Sequence, residues 1–276
     1  MDKKLVIIPT YNEKENIADI IQAVFALEGG FHVLVIDDGS PDGTAAIVKQ
    51  LQAQDTGEDA PGAFARTEPP RKSELFGAPG RSRSDASGNA SSGRLHLIER
   101  SGKLGLGTAY LTGFRWALEQ GYDYVFEMDA DFSHDPKDLL RLYEACTAGG
   151  ADLAVGSRYC NGVSVVDWPI SRIIMSYFAS AYVRGVLRMK VYDTTAGFVC
   201  YTRRVLESLD LDDVRMKGYG FQIEMKYTAW KLGFKLKEVP IIFTNRHKGT
   251  SKMSGGIFGE AFWGVIGLRF RKFHKK

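Results

Sequence analysis

Short, uninterrupted apolar runs alternate with helix-period stretches along most of this chain, and that alternation limits the possible folds more than any other feature. Lys4-Leu5-Val6-Ile7-Ile8 is such a run, ended by Pro9. Residues 16–27 follow, with Ile17, Ile20, Ile21, Val24 and Leu27 on one helical stripe that Gly29-Gly30 stops. His32-Val33-Leu34-Val35-Ile36 is the next run, and residues 44–54 again have helical character. Strands that are apolar at every position, not at alternate ones, are buried on both faces. The pattern predicts an α/β fold with a mostly parallel central sheet covered by helices on both sides.

Residues 55–93 interrupt the pattern. Gly, Ser, Ala, Pro and Arg dominate there, four of the chain's nine prolines fall within it, and Phe64, Leu75 and Phe76 are its only large apolar residues. That is too little apolar surface to offset the entropy of ordering, which predicts a disordered insert. The remainder, residues 1–54 and 94–255, makes one domain, and residues 256–276 form an amphipathic, basic tail. A chain of 276 residues with 44% hydrophobic content can bury a sizeable core. Its net charge of +3 is too mild for a dedicated nucleic-acid binder. Cys146, Cys160 and Cys200 are scattered without CxxC spacing, which points to free thiols in a reducing compartment. Met1-Asp2-Lys3-Lys4 leads directly into the first strand, so no signal peptide is expected. No apolar run approaches the roughly 20 residues of a membrane span, so any membrane contact is expected from the surface.

Beyond the insert the alternation returns. Leu95-His96-Leu97-Ile98 is a strand. The loop Gly102-Lys103-Leu104-Gly105-Leu106-Gly107 leads into a helix over residues 108–120. This loop lacks the G-x-x-x-x-G-K-[ST] pattern and reads as a tight turn and helix cap in preference to a phosphate cradle. Tyr124-Val125-Phe126-Glu127-Met128 is a buried strand that ends at Asp129-Ala130-Asp131. Asp135 is a candidate N-cap and Pro136 a first-turn residue of the next helix. Leu153-Ala154-Val155-Gly156-Ser157 delivers Arg158 at a strand end. Residues 170–189 are apolar and aromatic with interspersed arginines, a pattern shared by a core helix and one lying in a membrane interface. Residues 235–243 flank Pro240 and read as an edge strand.

Open α/β sheets bind their ligands outside the carboxyl ends of the strands, where Asp129 and Asp131 are expected. Two carboxylates one residue apart repel each other unless a cation lies between them. Oxygen ligands of this kind suit Mg²⁺ or Mn²⁺ shared with substrate phosphates. An Asp-capped strand-end turn explains the same residues, and the short motif alone leaves both readings open.

Several motifs together resemble family 2 inverting glycosyltransferases of the GT-A fold. They are Pro9-Thr10-Tyr11-Asn12-Glu13, Asp37-Asp38-Gly39-Ser40-Pro41-Asp42-Gly43-Thr44, Asp129-Ala130-Asp131 and Gly156-Ser157-Arg158-Tyr159. Lys103 to Tyr110, Gly220-Phe221-Gln222-Ile223-Glu224-Met225 and the basic loop 246–252 are similar to the dolichol-phosphate (polyprenol-phosphate) mannose synthase branch. The resemblance covers nearly the whole chain outside the insert. It implies transfer of mannose from GDP-mannose to a polyprenyl phosphate. The workplace would be the cytoplasmic face of a membrane, with peripheral attachment and a possible membrane-protein partner. Transfer of glucose or N-acetylglucosamine to undecaprenyl phosphate, a saccharide acceptor, or a non-catalytic nucleotide-sugar-binding subunit are the alternatives.

By the same resemblance Pro9, Tyr11, Glu13, Ile36 and Asp38 border the guanosine. Asp129, Ala130 and Asp131 meet the diphosphate, with Asp129, Asp131 and Ser133 holding the metal. Ser133 stands where many members carry glutamine, which bears on metal affinity. Arg158, Arg246 and Lys252 are implied to meet phosphate, with Asp131, Arg158 and Arg246 the implied catalytic residues. From the residues alone, Glu13 equally suits a helix N-terminal carboxylate and Asp38 an Asx-turn. Arg172 is a candidate for the lipid phosphate. Glu224 and Asp193 are candidates for orienting sugar or acceptor, although a helix-face or turn acid explains them at least as well. The C-terminal membrane helices that some members carry are not expected, and the chain is expected to resemble the soluble, catalytic-domain type.

Overall fold

A computed structural model describes residues 2–55, 93–216, 218–245 and 257–275. The implied phosphate ligands Arg246 and Lys252, and the inside of the expected insert, lie outside the described residues. The elements run β1 (Lys4–Thr10), α1 (Ile17–Phe25), β2 (Phe31–Asp37), α2 (Thr44–Gln54), β3 (Leu95–Glu99), α3 (Leu106–Glu119), β4 (Tyr124–Glu127), α4 (Asp138–Cys146) and β5 (Leu153–Ser157). They continue with β6 (Val165–Val166), α5 (Ile170–Leu187), β7 (Val199–Thr202), α6 (Arg203–Ser208), α7 (Gly218–Lys231), β8 (Leu236–Pro240), β9 (Phe243–Thr244) and α8 (Ile257–Phe270).

The central sheet has seven strands in the order β3-β2-β1-β4-β7-β5-β8. All its pairings are parallel except those of β7, which runs antiparallel to both β4 and β5. This mixed α/β architecture is the one the alternating pattern predicts, and β8 is the expected edge strand. Successive residues of β1 enter opposite cores. Leu5 and Ile7 pack with Ala109, Tyr110 and Phe114 of α3. Val6 and Ile8 pack with Ile17, Ile20, Ile21 and Val24 of α1. Gly113 permits the close approach of α3, since a Cβ there would lie 2.7 Å from Ile7 Cδ1.

β7 matters most for the site. Because it runs against its neighbours, it begins at the edge where β4 and β5 end. Residues 193–197, which lead into it, therefore lie between the ends of those two strands. A third apolar cluster unites α5, α7 and α8 through Val183, Leu187, Ile223, Tyr227, Val265 and Leu268.

Three local expectations are revised. β1 continues through Pro9 to Thr10, because its pairing with β4 has already ended at Ile7 and a missing N–H is tolerated there. α3 begins at Leu106, two residues before the expected start. Asp135 is not the N-cap of α4. Its carboxylate accepts the N–H of Lys137 (2.9 Å), an Asx turn that precedes the helix, and Lys137 occupies the cap position.

The ends flanking the expected insert meet. Asp55 Oδ2 accepts the N–H of Leu95 at 2.8 Å, which ties the end of α2 to the start of β3. Deleting residues 56–92 and joining the ends through a short Gly-Ser turn is expected to leave the melting temperature and turnover close to those of the parent. Loss of soluble folded protein would show that this segment packs on the core.

At the same edge of the sheet, beside Leu95, Tyr122 Oη bridges His32 Nδ1 (3.0 Å) and His96 Nε2 (3.2 Å). Burial, and then the neighbouring His32, pull the His96 pKa down to about 4. The unfolded chain therefore takes up a proton on His96 near its ordinary pKa of ~6.5 while the folded chain does not, so stability is lost as pH falls from about 6.5 towards 4. Thermal denaturation should show a falling Tm across that window, and His96→Phe should lessen the fall, leaving the part due to buried His134, whose pKa is also lowered to about 4. An equal pH dependence in the variant would contradict the assignment.

Candidate active site

The site is assembled at the carboxyl edge of the sheet. β4 ends at Glu127, and the chain then turns through Asp129-Ala130-Asp131-Phe132-Ser133. Phe132 has φ 58°, a left-handed conformation unusual outside glycine. The turn is held by Asp131 Oδ1, which accepts both the N–H (3.0 Å) and the hydroxyl (2.6 Å) of Ser133. Ser133 in turn accepts the N–H of Thr244 through its carbonyl oxygen (3.1 Å). Ser133 thus orients Asp131. Asp131 and Ala130 are buried, while Asp129 is half-exposed. His134 stacks on Phe198 at 4.7 Å, and burial lowers its pKa to about 4.

Across β7, Arg158 follows β5. Its guanidinium forks onto Asp193, Nε to Oδ2 and Nη2 to Oδ1, both at 2.7 Å. The Arg158 backbone N–H also donates to Asp193 Oδ2 (3.0 Å), and Nη2 reaches Thr195 Oγ1 (3.0 Å). Burial alone would raise the Asp193 pKa, but the charge and hydrogen bonds of Arg158 outweigh it and hold the carboxyl below its ordinary value. Asp193 is therefore the anchor of Arg158. Arg172, near the start of α5, stacks over Trp168 (3.8 Å) and donates to Asn245 (3.4 Å).

Asp129, Ser133, His134, Arg158 and Arg172 open on one cavity of about 530 Å³, while Ala130, Asp131 and Asp193 stand behind its lining. Its polar end is lined by Asp129, Ser133, His134, Arg158, Arg172 and Gln222. Its other end runs between α5 and α8, lined by Met175, Ala179, Tyr182, Val183, Phe262 and Val265. Of the residues singled out in the sequence, this cavity unites Asp129, Ser133, Arg158 and Arg172.

The first-half residues do not line it. Pro9, Tyr11, Glu13, Ile36 and Asp38 lie at the ends of β1 and β2. Asp38 accepts Arg100 Nε at 2.6 Å in a buried ion pair, and Arg100 also donates to Thr108 Oγ1 (2.8 Å) and the Gly105 carbonyl (3.2 Å). The glycine loop is thereby stapled to β2 and acts as a turn and helix start. Lys103 from that loop stands 5.1 Å over the Tyr11 ring. Glu13 accepts the Asn16 side-chain amide (3.1 Å) ahead of α1. Ile36 is fully buried beneath α3, so its side chain is a core element and only its backbone can face a ligand. Glu224 faces away from the cavity. It accepts the N–H groups of Arg215 (3.0 Å) and Met216 (2.7 Å) and pairs with Arg271, a structural clasp.

Among the charged residues that went unassigned in the sequence are Glu127, Lys226 and Arg100. Glu127 and Lys226 are fully buried; burial drives the Glu127 pKa up and the Lys226 pKa down, while each favours the other's charged form. A charged residue inside an apolar strand run, as at Glu127, is the one signal that could have exposed a distant buried partner.

A model described as glycosyl transferase family 2 matches residues 5–59 and 82–210, and this chain belongs to that family. Among individual relatives, the polyprenol monophosphomannose synthase of Mycolicibacterium smegmatis is 42% identical over 270 residues, covering 96% of this chain and 88% of that protein. The undecaprenyl-phosphate mannosyltransferase of Micrococcus luteus is 41% identical over 276 residues, covering 97% and 98%. Among solved structures, glucosyl-3-phosphoglycerate synthase from Mycobacterium tuberculosis, in complex with Mn²⁺, UDP-glucose and phosphoglyceric acid, superposes with a TM-score of 0.62. It is 17% identical over 97% of this chain and 80% of that one, a likeness of fold.

Asp131 is not solvated, so removing its carboxylate leaves the two Ser133 donors unmatched, at a cost of about 1–3 kcal/mol. Asp131→Ala is expected to abolish glycosyl transfer and lower Tm. Asp131→Asn retains an acceptor for Ser133 and should abolish transfer with Tm nearly unchanged. Substantial turnover by Asp131→Asn with Mg²⁺ or Mn²⁺ present would overturn the assignment of this acid.

Proposed function

We propose that this chain transfers mannose from GDP-mannose to a polyprenyl phosphate, inverting the anomeric centre. The observation that carries the reading is the single cavity that joins an acid and two arginines at the sheet edge to an apolar passage between α5 and α8. A phosphate head and an isoprenoid chain require that sequence of environments. The acceptor specificity accords with the names of the two relatives.

The residues fit a divalent cation. Asp129 opens to the cavity, Asp131 is held beside it, and among the described residues no three His, Cys, Asp or Glu side chains cluster into an all-protein cage. That donor set suits Mg²⁺ or Mn²⁺ completing its shell with diphosphate oxygens and water. When bound, the ion would neutralise charge growing on the departing diphosphate. Asp129 and Asp131 would hold it, with Ser133 orienting Asp131 and offering an oxygen. Arg246 and Lys252 would close over the diphosphate, and Pro9, Tyr11, Glu13, Asp38 and the Ile36 backbone would border the nucleoside.

The acceptor phosphate has a second pKa near ~6 and is an anion at neutral pH, so no strong general base is required. One of its oxygens bonds to the mannose anomeric carbon as the bond to the GDP oxygen breaks. Arg158, aimed by Asp193, and Arg172 supply the positive charge that draws this anion in. Residues 1–54 and 94–255 would form the catalytic domain, with the insert dispensable and the tail completing the lipid side. Labelled GDP-mannose, GDP-glucose, UDP-glucose and UDP-N-acetylglucosamine, each incubated with the protein and polyprenyl phosphate, test the reading. Label is expected in the lipid fraction from GDP-mannose, and transfer from another donor alone would contradict it.

The protein works at a membrane surface in this reading, on the cytoplasmic face, with a membrane-protein partner as a further possibility to probe. Among the described residues no helix is long and apolar enough to cross a membrane. α5 and α8 each present two faces. Val183, Leu187, Val265 and Leu268 point into the core, while Ile170 (75% exposed), Phe178 (65%) and Trp263 (71%) point outward. Lys and Arg near an anionic leaflet contribute about 1 kcal/mol each. Arg271 cannot join them, because it is turned inward to Asp213 and Glu224. Removing the whole tail would also strip the core of Val265 and Leu268, so point substitutions make the cleaner test. The protein should co-sediment with anionic liposomes at low salt, and Phe178→Ser/Trp263→Ser should weaken this severalfold without lowering Tm. Parent protein left in the supernatant at low salt would refute surface binding.

A further inference from the structure

Lys226 is a fully buried lysine in α7, outside the set of residues that would touch either substrate. Its ammonium donates to the carbonyl oxygens of Ala196 (2.6 Å) and Thr194 (3.4 Å), and to the carbonyl (3.1 Å) and Oε1 (3.2 Å) of Gln222. Two of these acceptors belong to residues 193–197, the segment that enters the sheet between β4 and β5. The same segment gives Asp193 and Thr195 to Arg158, and its residues Thr195, Ala196 and Gly197 line the cavity. From β8, Glu238 accepts the N–H groups of Tyr192 (2.8 Å) and Asp193 (2.9 Å). The segment is thus clamped from two sides before β7 begins.

A buried ammonium is costly; Glu127 of β4, equally buried, favours its charged form and offsets part of that cost. What the ammonium adds is a hold on carbonyl groups that precede the strand. The geometry points to Lys226 as a positioning residue that sets Arg158 for the acceptor phosphate by pinning residues 194–196 to α7. This rests on the acceptor reading given above. The chain of contacts is direct: Lys226 to the segment, the segment through Asp193 and Thr195 to the guanidinium, the guanidinium to the cavity.

A double-mutant cycle tests it. Parent, Lys226→Met, Arg158→Lys and the double variant are compared in steady-state transfer, with donor and polyprenyl phosphate varied separately. Lys226→Met is expected to lower kcat/KM for the acceptor about tenfold or more and leave the donor KM within about twofold. In the Arg158→Lys background the further loss should be less than about threefold, because residues acting through one contact are not additive. Lys226→Gln, which keeps an N–H donor, should recover part of the loss, and it carries the cycle if Lys226→Met does not fold. A full multiplicative loss in the Arg158→Lys background, or equal losses for donor and acceptor, would overturn the proposal. If the parent transfers nothing to polyprenyl phosphate, the acceptor reading alone fails. A crystal structure of the Lys226 variant then decides the inference: displacement of residues 193–197 and Arg158 supports it, and an unmoved Arg158–Asp193 pair overturns it.

Discussion

The Arg158–Asp193 ion pair is the constraint on which the rest of the site depends. Both groups are buried, and a charge held in a low-dielectric interior persists only with a well-matched partner. The match is close to ideal, since the fork uses both carboxylate oxygens and the Arg158 backbone N–H adds another bond to one of them. Removing one half of such a pair costs about 3–5 kcal/mol, because the other half is left charged and alone. The pair also locks two parts of the chain together at one place on the sheet edge. Arg158 follows directly on β5, and the approach to β7 begins with Asp193.

That junction exists because β7 is antiparallel. Had it been parallel, its entry would lie at the far edge of the sheet and the gap between β4 and β5 would hold only strand ends. Instead the 193–197 segment fills the gap, supported beneath by α7 and beside by β8. Gly156 makes room for Phe198, the residue that follows the segment, since a Cβ there would stand 2.6 Å from Phe198 Cδ1. On one side of this wedge stand Asp129 and Asp131, whose spacing suits a cation and a diphosphate. On the other, α5 and α8 shape an apolar passage. Charged and apolar linings thus adjoin in one cavity.

The parallel framework was legible because a strand buried on both faces has no polar alternation, and the runs at Leu5–Ile8 and His32–Ile36 show none. The strand-end acids and Arg158 were legible as chemistry for the same reason: polar residues at the close of apolar runs have somewhere to point. The direction of β7 was not legible, since a short apolar strand reads alike either way. Nor were the partners of the buried charges. Asp193 lies 35 residues from Arg158, and only the fold brings them together. Asp37 and Asp38 look like a second acidic pair, but Asp37 is occupied by Thr10 and Ser40, and Asp38 by Arg100. Periodicity alone left residues 170–189 ambiguous because α5 does both things: one face completes a core and the other faces outward.

The central claim is that Asp193 exists to aim Arg158 at an anionic acceptor while the nucleotide side stands apart from it. Calorimetric titration of a short-chain isoprenyl phosphate and, separately, of GDP-mannose with Mg²⁺ into the parent and Asp193→Asn proteins tests this most directly. The account predicts that Asp193→Asn loses about tenfold or more in affinity for the isoprenyl phosphate and keeps its affinity for GDP-mannose within about twofold. Equal weakening of both ligands in a folded variant, or unchanged binding of the isoprenyl phosphate, would contradict it.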